Sequence, residues 1–243
     1  GIGHSEAQWF VRGVPNVKKA FAKVWGTDDL LTSFDGVSLW RPWNIDPSWK
    51  TQSGQAWFHI DQHPISKPGK QCIQGLINLL PTSKEIGGNV VIPKSHNFFK
   101  DLPEEYKERV ERLPLDIDHF RFPHDDPKLS SEPAVMAHME PGDMLLWDSR
   151  TIHCSSSGSS LPEGTNDLIR AASLICMMPK KLSSKEILDK RIHAAENLVS
   201  TTNWTNDFRN ADEFPIILEA ENRDQYKWPK KPNLSDYQKE LIA

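Results

Sequence analysis

Tyrosine and cysteine are scarce in this 243-residue chain, with three of each. Cys72, Cys154 and Cys176 cannot all pair and show no zinc-type spacing. The expectation is therefore reduced thiols in a cytoplasmic compartment. No apolar run is long enough to span a membrane, and no signal-like apolar segment is present. The sequence begins at Gly1, which leaves a preceding targeting segment open. An excess of basic charge is also missing. A formal net charge of −4 and a pI near 6.2 give no electrostatic case for nucleic acid. The length suits one core, and the expectation is a single domain over residues 1–243.

Tryptophan, by contrast, is plentiful. Six of the nine fall in the first quarter, at Trp9, Trp25, Trp40, Trp43, Trp49 and Trp57. Such a cluster is core packing or a wall for an apolar or aromatic substrate. Its last member opens the stretch that organises the chain, Trp57-Phe58-His59-Ile60-Asp61-Gln62. Read as a strand, it puts Trp57, His59 and Asp61 on one face. Ala56, Phe58 and Ile60 make the apolar face opposite. An imidazole and a carboxylate side by side are two corners of a metal site. A distant histidine would complete the two-histidine, one-carboxylate set of non-haem Fe(II) sites.

Elsewhere, Ser5-x-x-Gln8 reads as a capping box opening a helix to Arg12, and a second helix starts at Pro15 and ends at Gly26. Residues 27–31 suggest a turn of helix, and 33–41 a strand interrupted at Asp35-Gly36. Further strands are expected over 71–80, 89–92, 134–139, 144–148 and 168–178, and an exposed, charge-laced helix over 103–113. Residues 114–133, rich in proline, read as an irregular insertion or lid, and 154–167 as a Ser/Gly loop. Ser183-x-x-Glu186 reads as a capping box for a helix to about Ser200, with Ile187, Leu188, Ile192, Ala195 and Leu198 buried. A polar tail follows. Many short strands with helices at both ends point to a β-sandwich or barrel buttressed by helices.

His153, near the end of a strand, is the best third ligand. His63 is in phase with Asp61 but precedes Pro64. His96 and His138 are weaker rivals, and His4, His119, His124 and His193 lie in polar or helical segments. Arg170 sits in the apolar run Leu168-Ile169-Arg170-Ala171-Ala172-Ser173-Leu174-Ile175-Cys176. A guanidinium there needs an anion. That anion is an internal Asp or Glu, or the far carboxylate of a dicarboxylate cosubstrate, to which Ser155 could add a hydroxyl.

The set His59-x-Asp61, Gly87-Gly88-Asn89-Val90-Val91-Ile92-Pro93-Lys94-Ser95-His96, Pro141-Gly142-Asp143-Met144-Leu145-Leu146-Trp147-Asp148, His153-x-Ser155 and Arg170 resembles the phytanoyl-CoA dioxygenase family. The match runs over roughly residues 33–178. The resemblance implies a mainly β double-stranded β-helix, or jelly-roll, with helical flanks. It implies a dioxygenase that uses Fe(II), 2-oxoglutarate and O2. His59, Asp61 and His153 would hold iron, and Arg170 and Ser155 the far carboxylate of 2-oxoglutarate. Asn78 and the residues around Val37 to Leu39 would line the cosubstrate pocket. Trp57 and Gln62, flanking the metal pair, are candidate substrate contacts. Two departures stand out. Lys94 replaces the usual glycine before Ser-His, and the interval from His153 to Arg170 is long, which makes Arg150 the fallback anchor. Asp61 argues for hydroxylation or another oxidation over halogenation, because halogenases have a small residue there. The expected partner is a small organic substrate, with oligomeric state open. A non-catalytic metal-binding jelly-roll and a hydrolytic zinc enzyme are the rival readings.

Overall fold

Eight strands of this chain wind as a jelly-roll, and a computed structural model describes them within residues 1–51, 57–207 and 230–243. The described strands are β1 (Leu30–Thr32), β2 (Val37–Trp40), β3 (His59–Asp61), β4 (Ile73–Asn78), β5 (Gly87–Val91), β6 (His119–Arg121), β7 (Val135–Met136), β8 (Met144–Asp148), β9 (His153–Ser157), β10 (Arg170–Leu174) and β11 (Met177–Pro179). The described α-helices are α1 (Glu6–Arg12), α2 (Pro15–Trp25), α3 (Leu102–Glu105), α4 (Lys107–Glu111), α5 (Lys185–Asn197) and α6 (Asp236–Glu240). None of them is long and apolar enough to cross a membrane.

One sheet has the order β2-β10-β4-β8 and another β6-β3-β9-β5-β7, while β1 pairs with β11. From β2 to β5 and again from β7 to β10, each successive strand enters the other sheet, with the fold-back between β5 and β7. That alternation defines a double-stranded β-helix. β6 is an addition at the edge of the five-stranded sheet. The chain divides into two compact units, one of Gly1–Val37, Gln74–Leu76 and Ser173–Ala243, the other of Ser38–Ile73 and Ile77–Ala172.

The first unit holds the terminal helices. Ser5 caps α1 by accepting from the Gln8 backbone N–H, the Gln8 amide meanwhile donating to the carbonyls of Asp35 and Gly36. Pro15 begins α2, and Gly26, in the left-handed region at φ 70°, ends it. Residues 30–32 form β1 instead of helix, because Leu30–Thr32 finds a partner strand in β11. The run 168–178 is correspondingly two strands, β10 and β11. α5 is capped by Ser184, one residue later than expected. Its buried positions include Arg191 and Ala194, while Ile192 is exposed. The guanidinium of Arg191 explains the shifted stripe. It donates to the carbonyls of Ile242, Thr205, Thr32 and Leu241 and lies over the Phe34 ring. The polar tail contains α6, opened by a full capping box of Ser235 and Gln238.

The second unit shows why the five-stranded sheet can carry chemistry. Its even-numbered residues Phe58, Ile60, Val90, Ile92, Phe120, Phe122, Ile152 and Cys154 form one apolar cluster with Phe99, Leu102 and Val110. Each such side chain contributes about 2 kcal/mol of burial free energy. Residues 102–111 are therefore two short helices with Leu102 and Val110 buried, not one exposed helix. With the apolar residues spent on this face, period-two alternation sends His59, Asp61, Asn89, His119, His153 and Ser155 to the other. Ala56 lies outside the described residues.

Candidate metal and cosubstrate site

His59 and His153 are register partners across β3 and β9, and their rings lie 4.4 Å apart. Each imidazole is tied to the backbone two residues before it. Nδ1 of His59 lies 2.9 Å from the Trp57 carbonyl oxygen, and Nδ1 of His153 2.8 Å from that of Thr151. A carbonyl accepts only, so both Nδ1 atoms carry the proton and donate. This fixes the tautomer and leaves Nε2 with a free lone pair. Both Nε2 atoms then face Asp61, that of His59 at 3.5 Å from Oδ1 and that of His153 at 3.3 Å from Oδ2. Two neutral imidazole lone pairs converging on a carboxylate suit a divalent cation. Burial opposes ionisation of Asp61, but the imidazoles beside it, His59 and His119, outweigh it, holding the carboxyl well below its usual range.

His119 is the residue that the sequence did not single out. It stands directly opposite Asp61 in the β3–β6 register. Its Nδ1 is 3.5 Å from Asp61 Oδ1, and its ring is 4.4 Å from that of His59. His59, Asp61 and His119 each present an atom within 4.8 Å of the others. The expected irregular insertion at 114–133 hid it. The signal available was the alternation His119-Phe120-Arg121-Phe122, a short strand with two aromatic residues on one face.

Arg170 begins β10 and is buried. Its Nη1 is 3.5 Å from the Ser155 hydroxyl, and its guanidinium lies 4.5 Å over the Trp40 ring. Nε is buried without a hydrogen-bond partner, and no carboxylate among the described residues pairs with it. Burial draws its pKa down to about 10, with no opposing charge. Arg150 is spoken for instead. Its Nε and Nη2 fork onto Asp148 at 2.8 and 2.7 Å, which raises its pKa. Ser155 lies one two-residue step, about 7 Å, along β9 from His153. Across the strands it faces Asn89, whose Oδ1 is also buried without a partner. Trp147 brings its ring to 5.4 Å from His153, and its indole nitrogen is likewise unpartnered. Buried polar atoms are ordinarily satisfied, so the unpartnered donors of this wall, Arg170 Nε and the Trp147 indole, fit an anionic ligand, whereas the Asn89 oxygen is an acceptor that an anion does not use.

The other expected residues divide. Trp57 lies against His59, stacking on it at 5.0 Å and donating to the Ser155 carbonyl at 2.9 Å. Gln62 does not reach the site. Being out of phase with Asp61, it turns to the other face, where its amide donates to the Lys67 and Gly69 carbonyls and accepts from Ser149. Leu39 points outward, 52% exposed, and the next residue, Trp40, meets Arg170. Asn78 lies on β4 with its amide nitrogen committed to Thr82 and Met139 and its Oδ1 buried and unpartnered. It therefore offers an acceptor, which a carboxylate cannot use. His63 accepts from the backbone N–H groups of Ile65 and Ser66 on its Nδ1, which makes it a loop cap.

Comparison with known proteins identifies the family. The family model for phytanoyl-CoA dioxygenase matches residues 15–161, a span that stops short of Arg170. Ava biosynthesis cluster protein O of Aspergillus versicolor is 33% identical over 210 residues, 83% of this chain and 64% of that protein. A putative phytanoyl-CoA dioxygenase of Dictyostelium discoideum is 22% identical over 225 residues, 80% of this chain and 60% of that protein. The chain thus spans about three-fifths of the length of these curated relatives. The crystal structure of the GlcNAc Inducible Gene 2 product of Candida albicans superposes with a TM-score of 0.58 at 13% identity, over 98% of this chain and 64% of that one, a likeness of fold. With the jelly-roll topology and the family match over more than half its length, the chain belongs to the phytanoyl-CoA dioxygenase family, whose members are Fe(II)- and 2-oxoglutarate-dependent oxygenases.

Proposed function

We propose that this chain is the catalytic part of an Fe(II)- and 2-oxoglutarate-dependent dioxygenase that oxidises a small organic molecule, most simply by hydroxylation. The observation that carries the reading is the pinning of both Nδ1–H groups to backbone carbonyls, which turns the Nε2 atoms of His59 and His153 onto Asp61. Those three residues would hold Fe(II). Arg170, supported by Ser155, would take the far carboxylate of 2-oxoglutarate, supplying the anion its buried charge lacks. Held there with O2, iron and 2-oxoglutarate would supply the oxidising equivalent, with succinate and CO2 as the coproducts.

The protein's part is orientation and exclusion of water. Trp40 keeps the Arg170 guanidinium over its ring. Trp57 closes the flank of His59 and offers an aromatic surface to an apolar or aromatic substrate. The Aspergillus versicolor relative is named for a biosynthesis cluster, in keeping with a small-molecule substrate. The three buried thiols support a cytoplasmic setting. The test is succinate release from 2-oxoglutarate by the iron-loaded chain. Asp61→Ala should abolish it, and retained turnover in that variant would sink the assignment.

A further inference from the structure

We infer that His119 is a positioning residue for Asp61, donating from Nδ1 to the carboxylate oxygen Oδ1 and staying off the metal. The inference rests on the metal-site reading above and assigns a part to a residue outside the expected triad.

The two oxygens of Asp61 have different surroundings. Oδ2 faces His153, while Oδ1 faces His59 and His119. A carboxylate with no donor on its second oxygen is free to swing and chelate an ion through both atoms, which uses up a coordination position. A fixed N–H on one oxygen prevents this. His119 is placed for it by backbone pairing, since β6 hydrogen-bonds to β3 with His119 opposite Asp61. A separation of 3.5 Å is long for a hydrogen bond and closes with a shift of a few tenths of an ångström.

His119 also differs from the two triad histidines in ways that speak against ligation. Their side chains are 7% and 5% exposed, that of His119 49%. Each of theirs has Nδ1 tied to a backbone carbonyl, and among the described residues no carbonyl holds the ring of His119. The nitrogen that it turns to Asp61 is Nδ1, whereas theirs is Nε2. Its strand is the added edge strand, outside the eight strands of the jelly-roll. Set opposite Asp61 by the backbone but half-exposed at the sheet edge, the ring is placed to donate to the carboxylate and poorly placed to share its ion.

Asparagine is the discriminating substitution. Its Nδ2 takes the place of imidazole Nδ1 as a donor but is a weak ligand for a divalent ion. Co(II) is titrated calorimetrically into the wild-type chain, His119→Ala and His119→Asn, and the Cu(II)-loaded proteins are examined by electron paramagnetic resonance for coordinated nitrogens. We expect Co(II) affinity to fall about 10- to 100-fold in His119→Ala, as for other residues that orient a metal ligand. His119→Asn should recover most of that loss, and all three proteins should show two coordinated nitrogens. Unchanged affinity in His119→Ala would overturn the inference. So would three nitrogens in the wild type falling to two in both variants, which would make His119 a ligand. A wild-type chain that binds no Co(II) would overturn the metal-site reading itself, and the role of His119 with it.

Discussion

The Arg170 guanidinium stands 3.5 Å from the Ser155 hydroxyl, and no acid among the described residues neutralises it. A buried charge kept in that state costs stability, and the use proposed for it is to bind the far carboxylate of 2-oxoglutarate. Arg170→Met should therefore separate stability from binding. We expect thermal stability without ligand to be unchanged or higher, by up to about 3 kcal/mol. Affinity for 2-oxoglutarate should fall about 100-fold or more. Thermal melts with and without 2-oxoglutarate check both at once, because the ligand-induced rise in Tm should vanish in the variant. A variant that melts much lower and still responds to 2-oxoglutarate would show that the charge is structural.

A pH dependence is built into the first unit. His4 is buried between Trp9 and Phe34 and hydrogen-bonds to the Val199 carbonyl at 2.8 Å. Burial, against that hydrogen bond, lowers its pKa from 6.5 to about 4. The unfolded chain thus takes up a proton near pH 6.5 that the folded chain refuses until about pH 4. Stability from this group is complete above pH 6.5, falls as the pH drops through that window, and levels off below about 4. The loss is about 3 kcal/mol at full extent. Urea unfolding from pH 7 to 4 should show the slope, and His4→Gln should flatten it. An equal slope in the variant would assign the effect elsewhere.

Arg191 makes a contrasting test, since its fork serves four carbonyls. Lysine keeps the charge but not the planar fork. Arg191→Lys should destabilise by about 3 kcal/mol or more, through the carbonyls left without donors. Chemical denaturation measures it, and a loss within about 0.5 kcal/mol, the ordinary range for surface changes, would contradict the reading.

The placing of His59 beside Asp61 was legible in the sequence because a strand's period of two sets it by arithmetic, and because Phe58 and Ile60 mark the face turned away. Arg170 was legible as a charge out of place. What the sequence hid depended on phase and pairing. Leu39 and Trp40 differ by one residue, and the face of a four-residue strand is not set by its pattern alone. His119 was obscured by flanking prolines, since a three-residue edge strand exists through its pairing with β3. Arg191 defied the apolar stripe because its partners are carbonyls as distant as Thr32 and Leu241. Lys94 shows the reverse. It sits at φ 63°, ψ −1°, the left-handed conformation that glycine adopts without strain.

The most direct test of the central claim is an anaerobic titration of the Fe(II)-loaded chain with 2-oxoglutarate, followed by visible absorption. The account predicts a weak charge-transfer band that saturates in the wild type and is absent from Arg170→Ala at the same cosubstrate concentration. Protein shown to contain iron that develops no band would contradict it, and the chain would then be a metal-binding jelly-roll without this cosubstrate.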